Sequence, residues 1–310
     1  MTMKKLDFRT LVMLLCVASM TVFASCDNKG NEPDDPQGGS TENHGGEETP
    51  TPESPVTFTL TLLSSNEAMG TATEGGTYEK DAEVIIEATA KKEACVFVKW
   101  SDGNTENPRT LTMTENITLT AEFDYAYVDL GLSVKWAKCN VGADSVHHYG
   151  DHYAWGETEP KTVYEWSNYF DTTDGGTTFL KYSNEGGKTT LDPEDDAATV
   201  NMGGSWRMPT KEELEELKTE CTWTWCENYN ETGERGYIVN SKTNSNSIFL
   251  PSAGYIETTL KNHSEHAYYS SSSLDETASE DTHVFFYSSG SIFFYSGSRY
   301  SGHSVRGVFE

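Results

Sequence analysis

Apolar residues occur in one long run and many short ones, and their spacing changes along the chain. Leu11 to Phe23 is a predominantly apolar stretch, preceded by Lys4, Lys5 and Arg9 and followed by the small residues Ala24 and Ser25. At about 1.5 Å per residue a helix over that run reaches about 20 Å, short of a hydrocarbon core of about 30 Å. Residues 1–25 therefore read as a secretory signal that is removed, and not as a membrane span. Residues 27–55 contain eight acids, one lysine and no apolar residue able to seed a core, the pattern of a disordered acidic tether.

From Val56 the period becomes two. Val56 to Leu63 alternates threonine with apolar residues, Glu74 to Tyr78 carries turn signals, and Glu83 to Thr89 alternates again. Cys95 to Trp100, the turn Ser101 to Asn104 and a last strand Ile117 to Phe123 complete the pattern of one small β domain over 56–124. Over 125–310 Gly, Ser, Tyr, Trp and Phe dominate, and one segment has clear helical spacing. There Thr210 is placed to cap, Glu213 to complete a capping box, and Leu214 and Leu217 share a face. A shorter helix is expected over Pro193 to Val200, capped by Asp192. Phe-Phe-Tyr-Ser occurs at 285 and again at 293 around Ser-Ser-Gly, which predicts a hairpin with outward tyrosines. The fold class expected is mostly β, with an α+β second domain.

Charge narrows the possible functions. The net charge is −27; the signal contributes three bases against Asp7, so the processed chain is near −29. Such a chain repels nucleic acid and anionic head groups, and no basic patch compensates. After removal of the signal, Cys26, Cys95, Cys139, Cys221 and Cys226 remain. With Cys26 set aside, four thiols allow three pairings that sequence does not separate; Cys139 with Cys221, inside the second domain, is the favoured one.

The context Phe23-Ala24-Ser25-Cys26 resembles the lipobox of bacterial lipoproteins, with Phe23 where Leu is usual. That resemblance implies acylation of Cys26 and a lasting anchor in the outer membrane. Asp27, Glu32, Asp34 and Asp35 behind it resemble the surface-export signal of Bacteroidetes lipoproteins, which implies an exterior location, with the periplasm as the alternative. GTYEKDAEVIIEATA and FVKWSDGNTENPRTLTMTENITLTAEF resemble the divergent internalin-type B-repeat (Listeria–Bacteroides repeat), a small β-grasp-like unit. Phe97, Trp100, Asp102, Gly103, Asn107, Pro108 and Thr118 fall on its signature positions. VDLGLSVKWAKCNVGA, YGDHYAWGETEPK, DDAATVNMGGSWRMPTKEELEEL, NSIFLPSAGY and GHSVRGV resemble the Fibrobacter succinogenes major paralogous domain. Met202 and Gly307 stand where Trp and Pro are frequent in that family. The resemblance implies a fold related to C-type lectins and formylglycine-generating enzymes, in which Val134 to Trp136 pairs near Ser304 to Arg306. Arg306 and Arg207 are then expected to serve internal carboxylates or carbonyls.

Candidate chemistry is sparse. No cysteine follows Cys226, so the cysteine pair of the formylglycine-generating relatives has no counterpart, and no activity is expected. Glu159-Pro160-Lys161 departs from the lectin sugar triplet. Asp192, Glu194, Asp195 and Asp196 offer hard oxygen ligands suited to calcium, although a solvated helix start explains the same acids and is the favoured reading; no other cofactor is expected. Trp155, Trp166, Tyr268 and Tyr269 are aromatic faces on which a glycan could stack. The expectation is a non-enzymatic surface lipoprotein that recognises a glycan or a protein. The alternative is an accessory lipoprotein of a polysaccharide-uptake or pilus-like envelope assembly.

Overall fold

Threonine alternating with apolar residues becomes strand β1 (Thr57–Ser64), which turns Leu60 into the core and Thr57, Thr59 and Thr61 to solvent. The computed structural model describes residues 54–310; the expected signal (1–25), Cys26 with its expected acylation and the expected tether up to residue 53 lie outside the described residues. After β1 come β2 (Gly70–Ala72), β3 (Gly76–Glu79), β4 (Glu83–Ile86) and β5 (Ala88–Ala90). β6 (Cys95–Trp100), β7 (Arg109–Thr112) and β8 (Ile117–Tyr125) follow. β3, β1, β8 and β6 form one sheet in that order, with β1 and β8 parallel at its centre. Trp100, Ile86 and Met113 are wholly buried beneath it.

Two expectations change here. Gly76, Thr77 and Tyr78 are strand and not turn, paired with Leu60, Thr59 and Phe58. The segment Glu83 to Thr89 is two strands, because the ladder changes partner at Glu87: β4 pairs with β7 and β5 with β2. Asn107 secures the break, its amide donating to Ala88 O (2.7 Å) and its Oδ1 accepting from Ala88 N (2.8 Å).

The chain continues through β9 (Tyr127–Val128), β10 (Lys135–Ala137), β11 (His152–Tyr153), α1 (Ala197–Met202) and α2 (Lys211–Glu220). Next are β12 (Cys221–Cys226), β13 (Gly236–Ser241), β14 (Ser247–Pro251), β15 (Tyr255–Ile256) and β16 (Leu260–Lys261). β17 (His266–Leu274), β18 (Asp281–Ser288), β19 (Ser291–Ser298), β20 (His303–Ser304) and β21 (Val308–Phe309) end it. A five-stranded sheet runs β11-β20-β17-β18-β19, and a three-stranded sheet runs β12-β13-β14. Both supply one core, in which Trp136, Leu217, Val239, Phe285, Tyr287 and Val308 are fully buried.

α2 forms as its sequence requires: Thr210 Oγ1 accepts from Glu213 N, the Glu213 carboxylate accepts from Thr210 N, and Leu214 and Leu217 are buried. The shorter helix differs. Pro193–Asp195 is a single 3-10 turn, Asp192 makes no capping bond, and Asp196 caps α1 by accepting from Thr199 N (2.8 Å). The ends of the second module do meet, but Trp136 pairs with Val308 and Lys135 with Phe309. Ser304, expected near them, is held by His152 and Tyr269 instead.

Residues 54–310 pack as one unit, and the two modules are joined by specific bonds. Ala126 N donates to Ala94 O (2.8 Å) and Ala94 N to Asp144 O (3.1 Å). Lys92 pairs with Asp144 (2.7 Å), and Glu93 takes Lys138 (3.2 Å) and the Ser145 hydroxyl (2.6 Å). Trp206 Nε1 donates to Asp124 (3.1 Å).

Candidate functional site

The acids expected to hold calcium converge instead on a lysine. Lys181 Nζ lies 2.8 Å from Asp192, 2.9 Å from Glu194 and 2.7 Å from Asp195, and Lys188 adds a second ammonium on Asp192. Hydrogen bonds to Asp192 and then Asp195 hold the Lys181 ammonium well above its ordinary value, and the same lysine draws the Asp192 and Glu194 carboxyls down. Asp196 points elsewhere: it is buried, accepts from Thr199 N and Met208 N, and burial raises its carboxyl. The four oxygens therefore do not share one open position, and the centre where an ion would sit is a lysine ammonium.

Cys139 and Cys221 are also kept apart. Cys139 packs with Ala94, Val146 and Phe249, whereas Cys221 belongs to the main core beside α2. All four cysteines of the described residues are free thiols, and burial pushes both Cys139 and Cys221 up to about 11.

Of the four aromatic candidates, two are core. Trp155 donates Nε1 to Ser271 O (3.0 Å) and is 1 % exposed; Tyr269 lies within the sheet core at 2 %. The other two line separate clefts. Trp166, from a 3-10 turn over Trp166–Asn168, walls a polar cleft of about 800 Å³ with Phe179, Asn184, Glu185, Thr277 and Glu280. Tyr268 lines a groove of about 470 Å³ with Tyr255, Phe286, Phe293, Tyr295 and His303.

The groove follows from strand alternation. On β19, Ile292 and Phe294 turn inward against the core, which leaves Phe293 and Tyr295 on the other face beside Phe286 of β18 and Tyr268 of β17. Phe293 remains 45 % exposed. The rings meet at angles: Phe286 and Phe293 are 4.6 Å apart, and Tyr255 and Tyr268 4.7 Å. His303 forms the floor, its ring stacked near that of Tyr268, and burial with help from nearby His152 pushes its imidazole down to about 3. It is a neutral wall and not a proton carrier at physiological pH.

Arg299, the chain neighbour of Ser298, is fully buried. It donates Nη2 to Asp171 (2.6 Å), Nε to the Tyr169 hydroxyl (2.8 Å) and Nη1 to Tyr182 O and Ser279 O. The rings of Trp155 and Phe179 lie 4.7 and 4.5 Å from its guanidinium. Arg306, also buried, donates to Asn140 and to the carbonyls of Ala137, Lys138 and Phe249, and Arg207 forks onto Glu213. All three arginines hold segments together.

One cluster carried no sequence signal, because its members meet only when β17 and β18 pair. His283 Nε2 lies 2.7 Å from Glu276, and Nδ1 lies 3.8 Å from Asp275. Glu276 also takes Lys211 (3.1 Å). Burial opposes ionisation of Asp275, but hydrogen bonds from Ser296 and Thr277 hold its carboxyl down to about 2. The cluster ties the loop 275–280, one wall of the larger cleft, to β18.

The model of the divergent InlB B-repeat domain family matches residues 60–127, the segment that builds the first module. No curated protein and no solved structure matches the chain.

Proposed function

We propose that this chain is a lipoprotein held in the outer membrane by acylated Cys26, facing the cell exterior, whose repeat domain supports a C-type-lectin-like recognition domain. Its task is to engage a glycan, and it performs no catalysis. The observation that carries this reading is the groove lined by Tyr255, Tyr268, Phe286, Phe293 and Tyr295, in which Phe293 is exposed, Tyr255, Phe286 and Tyr295 are half-buried and Tyr268 forms a buried wall, with Ser296 exposed at its edge. Rings of that kind offer flat apolar contact at low entropic cost, and hydroxyls supply adaptable hydrogen bonds. The reading of the anchor rests on the sequence around residue 26. Among the described residues no helix is long and apolar enough to cross a membrane.

A second reading is favoured by one feature. β19 is the last strand of its sheet among the described residues, so its outer edge is open to a partner's strand, as an accessory subunit of an envelope assembly would require.

The test is a glycan and mucin array probed with the purified chain, with calcium and with a chelator. Saturable binding that Phe293→Ala weakens supports glycan recognition. A blank array, together with stable co-purification of an envelope protein, favours the accessory reading. Labelled palmitate entering the wild-type chain but not Cys26→Ala supports the anchor; equal labelling of both removes it.

A further inference from the structure

The polar cleft of Trp166 and the aromatic groove of Tyr268 are neighbours. Ser298, at the end of β19, lines both. The residue after it is Arg299, whose buried fork grips Asp171, Tyr182 and Ser279, so the segments walling the larger cleft are fastened to the strand that walls the groove. Tyr300, next in sequence, packs on Trp166 at 4.8 Å. The two openings are therefore held in register. Each has the size that buries one small ligand, and Ser298 is common to both linings.

Their linings differ in a way that suits one kind of chain. The groove is mostly ring faces, whereas the larger cleft has one indole wall and many hydrogen-bonding groups, among them Thr177, Thr178, Asn184 and Thr277. Among the described residues no lysine or arginine lines either opening, while Glu185 and Glu280 line the larger cleft and Glu257, paired with Lys261, lines the groove. In a strongly acidic chain, Glu185 and Glu280 set the larger cleft against sulfated, sialylated or uronate-bearing chains, whereas in the groove Lys261 offsets Glu257 and lies over the Tyr255 ring (5.4 Å).

We propose that the two clefts are one continuous site for an uncharged oligosaccharide chain, with the Tyr268 groove and the Trp166 cleft as successive subsites meeting at Ser298. This rests on the glycan reading above and goes beyond it by naming the ligand's length and charge. A chain that spans both subsites gains contacts that a single terminal sugar does not, and long polymers compete where monosaccharides fail.

The experiment is calorimetric titration of the full chain, purified in detergent, with neutral gluco-, manno- and xylo-oligosaccharides of increasing length. A charged analogue of the same backbone serves as control. Affinity is expected to rise with length beyond what one subsite holds. Tyr268→Ala or Phe293→Ala in the groove, and Trp166→Ala or Thr178→Trp in the larger cleft, are each expected to weaken the longest chain about tenfold. Thr178 and Phe293 are exposed, so those two variants keep the test sound if the buried rings prove necessary for folding. A plateau at the shortest oligomer, with only one cleft's variants having an effect, overturns the continuous site while glycan recognition stands. Tighter binding of the charged analogue overturns the assignment of charge. No binding by any oligomer, with melting unchanged, overturns both the inference and the reading beneath it.

Discussion

His303 shows how a single residue type takes its role from its surroundings. Read alone, a histidine between Gly302 and Ser304 is a group that titrates near 6.5; here its ring lies under Tyr268, with Ser270 Oγ at 3.4 Å from Nδ1 and His152 on the adjacent strand. Burial and that neighbour push the imidazole down to about 3, and His152 is lowered by its own burial. The folded state therefore excludes the proton that the unfolded chain accepts. Full stability is present above pH 6.5 and declines as pH falls from 6.5 towards 3, by at most about 1.4 kcal/mol per pH unit for each histidine. The melting temperature should drop across that range, and His303→Phe should flatten the slope relative to wild type. Equal slopes for the two proteins would mean that His303 takes up its proton without unfolding.

At the scale of elements, the start of α2 was legible to the residue, because it is set by contacts three positions apart that any local reading can find. Its capping acid has a second duty that no local reading shows: Glu213 also receives the Arg207 fork, which ties the helix start to the segment paired with Val308. Thr210→Ala should cost about 1 kcal/mol, the usual loss of a cap. Glu213→Ala should cost clearly more, since it also leaves a half-buried guanidinium unpaired. Urea denaturation of both variants checks the order, and a smaller loss for Glu213→Ala would remove the ion pair from the account. The acids at 192–196 show the opposite case. Their position before a helix was legible, but which of them caps was not: the 3-10 turn moves the cap from Asp192 to Asp196, and Lys181, more than ten positions away, decides what the others bind.

At the scale of the whole molecule, the repeat and the second module share backbone hydrogen bonds through Ala94 and Ala126 and ion pairs through Lys92 and Glu93. A flexible joint would leave these groups to water. Calorimetry of the described region is expected to give one cooperative unfolding transition with equal calorimetric and van't Hoff enthalpies, and Glu93→Ala should lower its midpoint. Two resolved transitions in the wild type would show that the repeat unfolds independently of its neighbour. The net charge of −27 acts at this scale too, since it sets the sign of the field that any ligand meets.

What the sequence determined by itself is whatever depends on near neighbours or on composition. The strands β1 and β6, the α2 cap and the β18–β19 hairpin follow from alternation or three-residue spacing, although Tyr287, expected to face outward on that hairpin, is fully buried in the core; the acidic field follows from counting; the first module, read over 56–124, overlaps the family match at 60–127. The tertiary structure decided everything that depends on which distant segments meet. It buried Trp155 and Tyr269 while leaving Trp166 and Tyr268 in clefts, filled the acidic cluster with Lys181, and separated Cys139 from Cys221. The physical reason is that alternation says which residues share a face of a strand but not what lies across from that face. Exposure, pairing and charge environment are set by packing between segments that local spacing does not connect, from Lys181 and Asp192 to Arg299 and Asp171, more than a hundred positions apart.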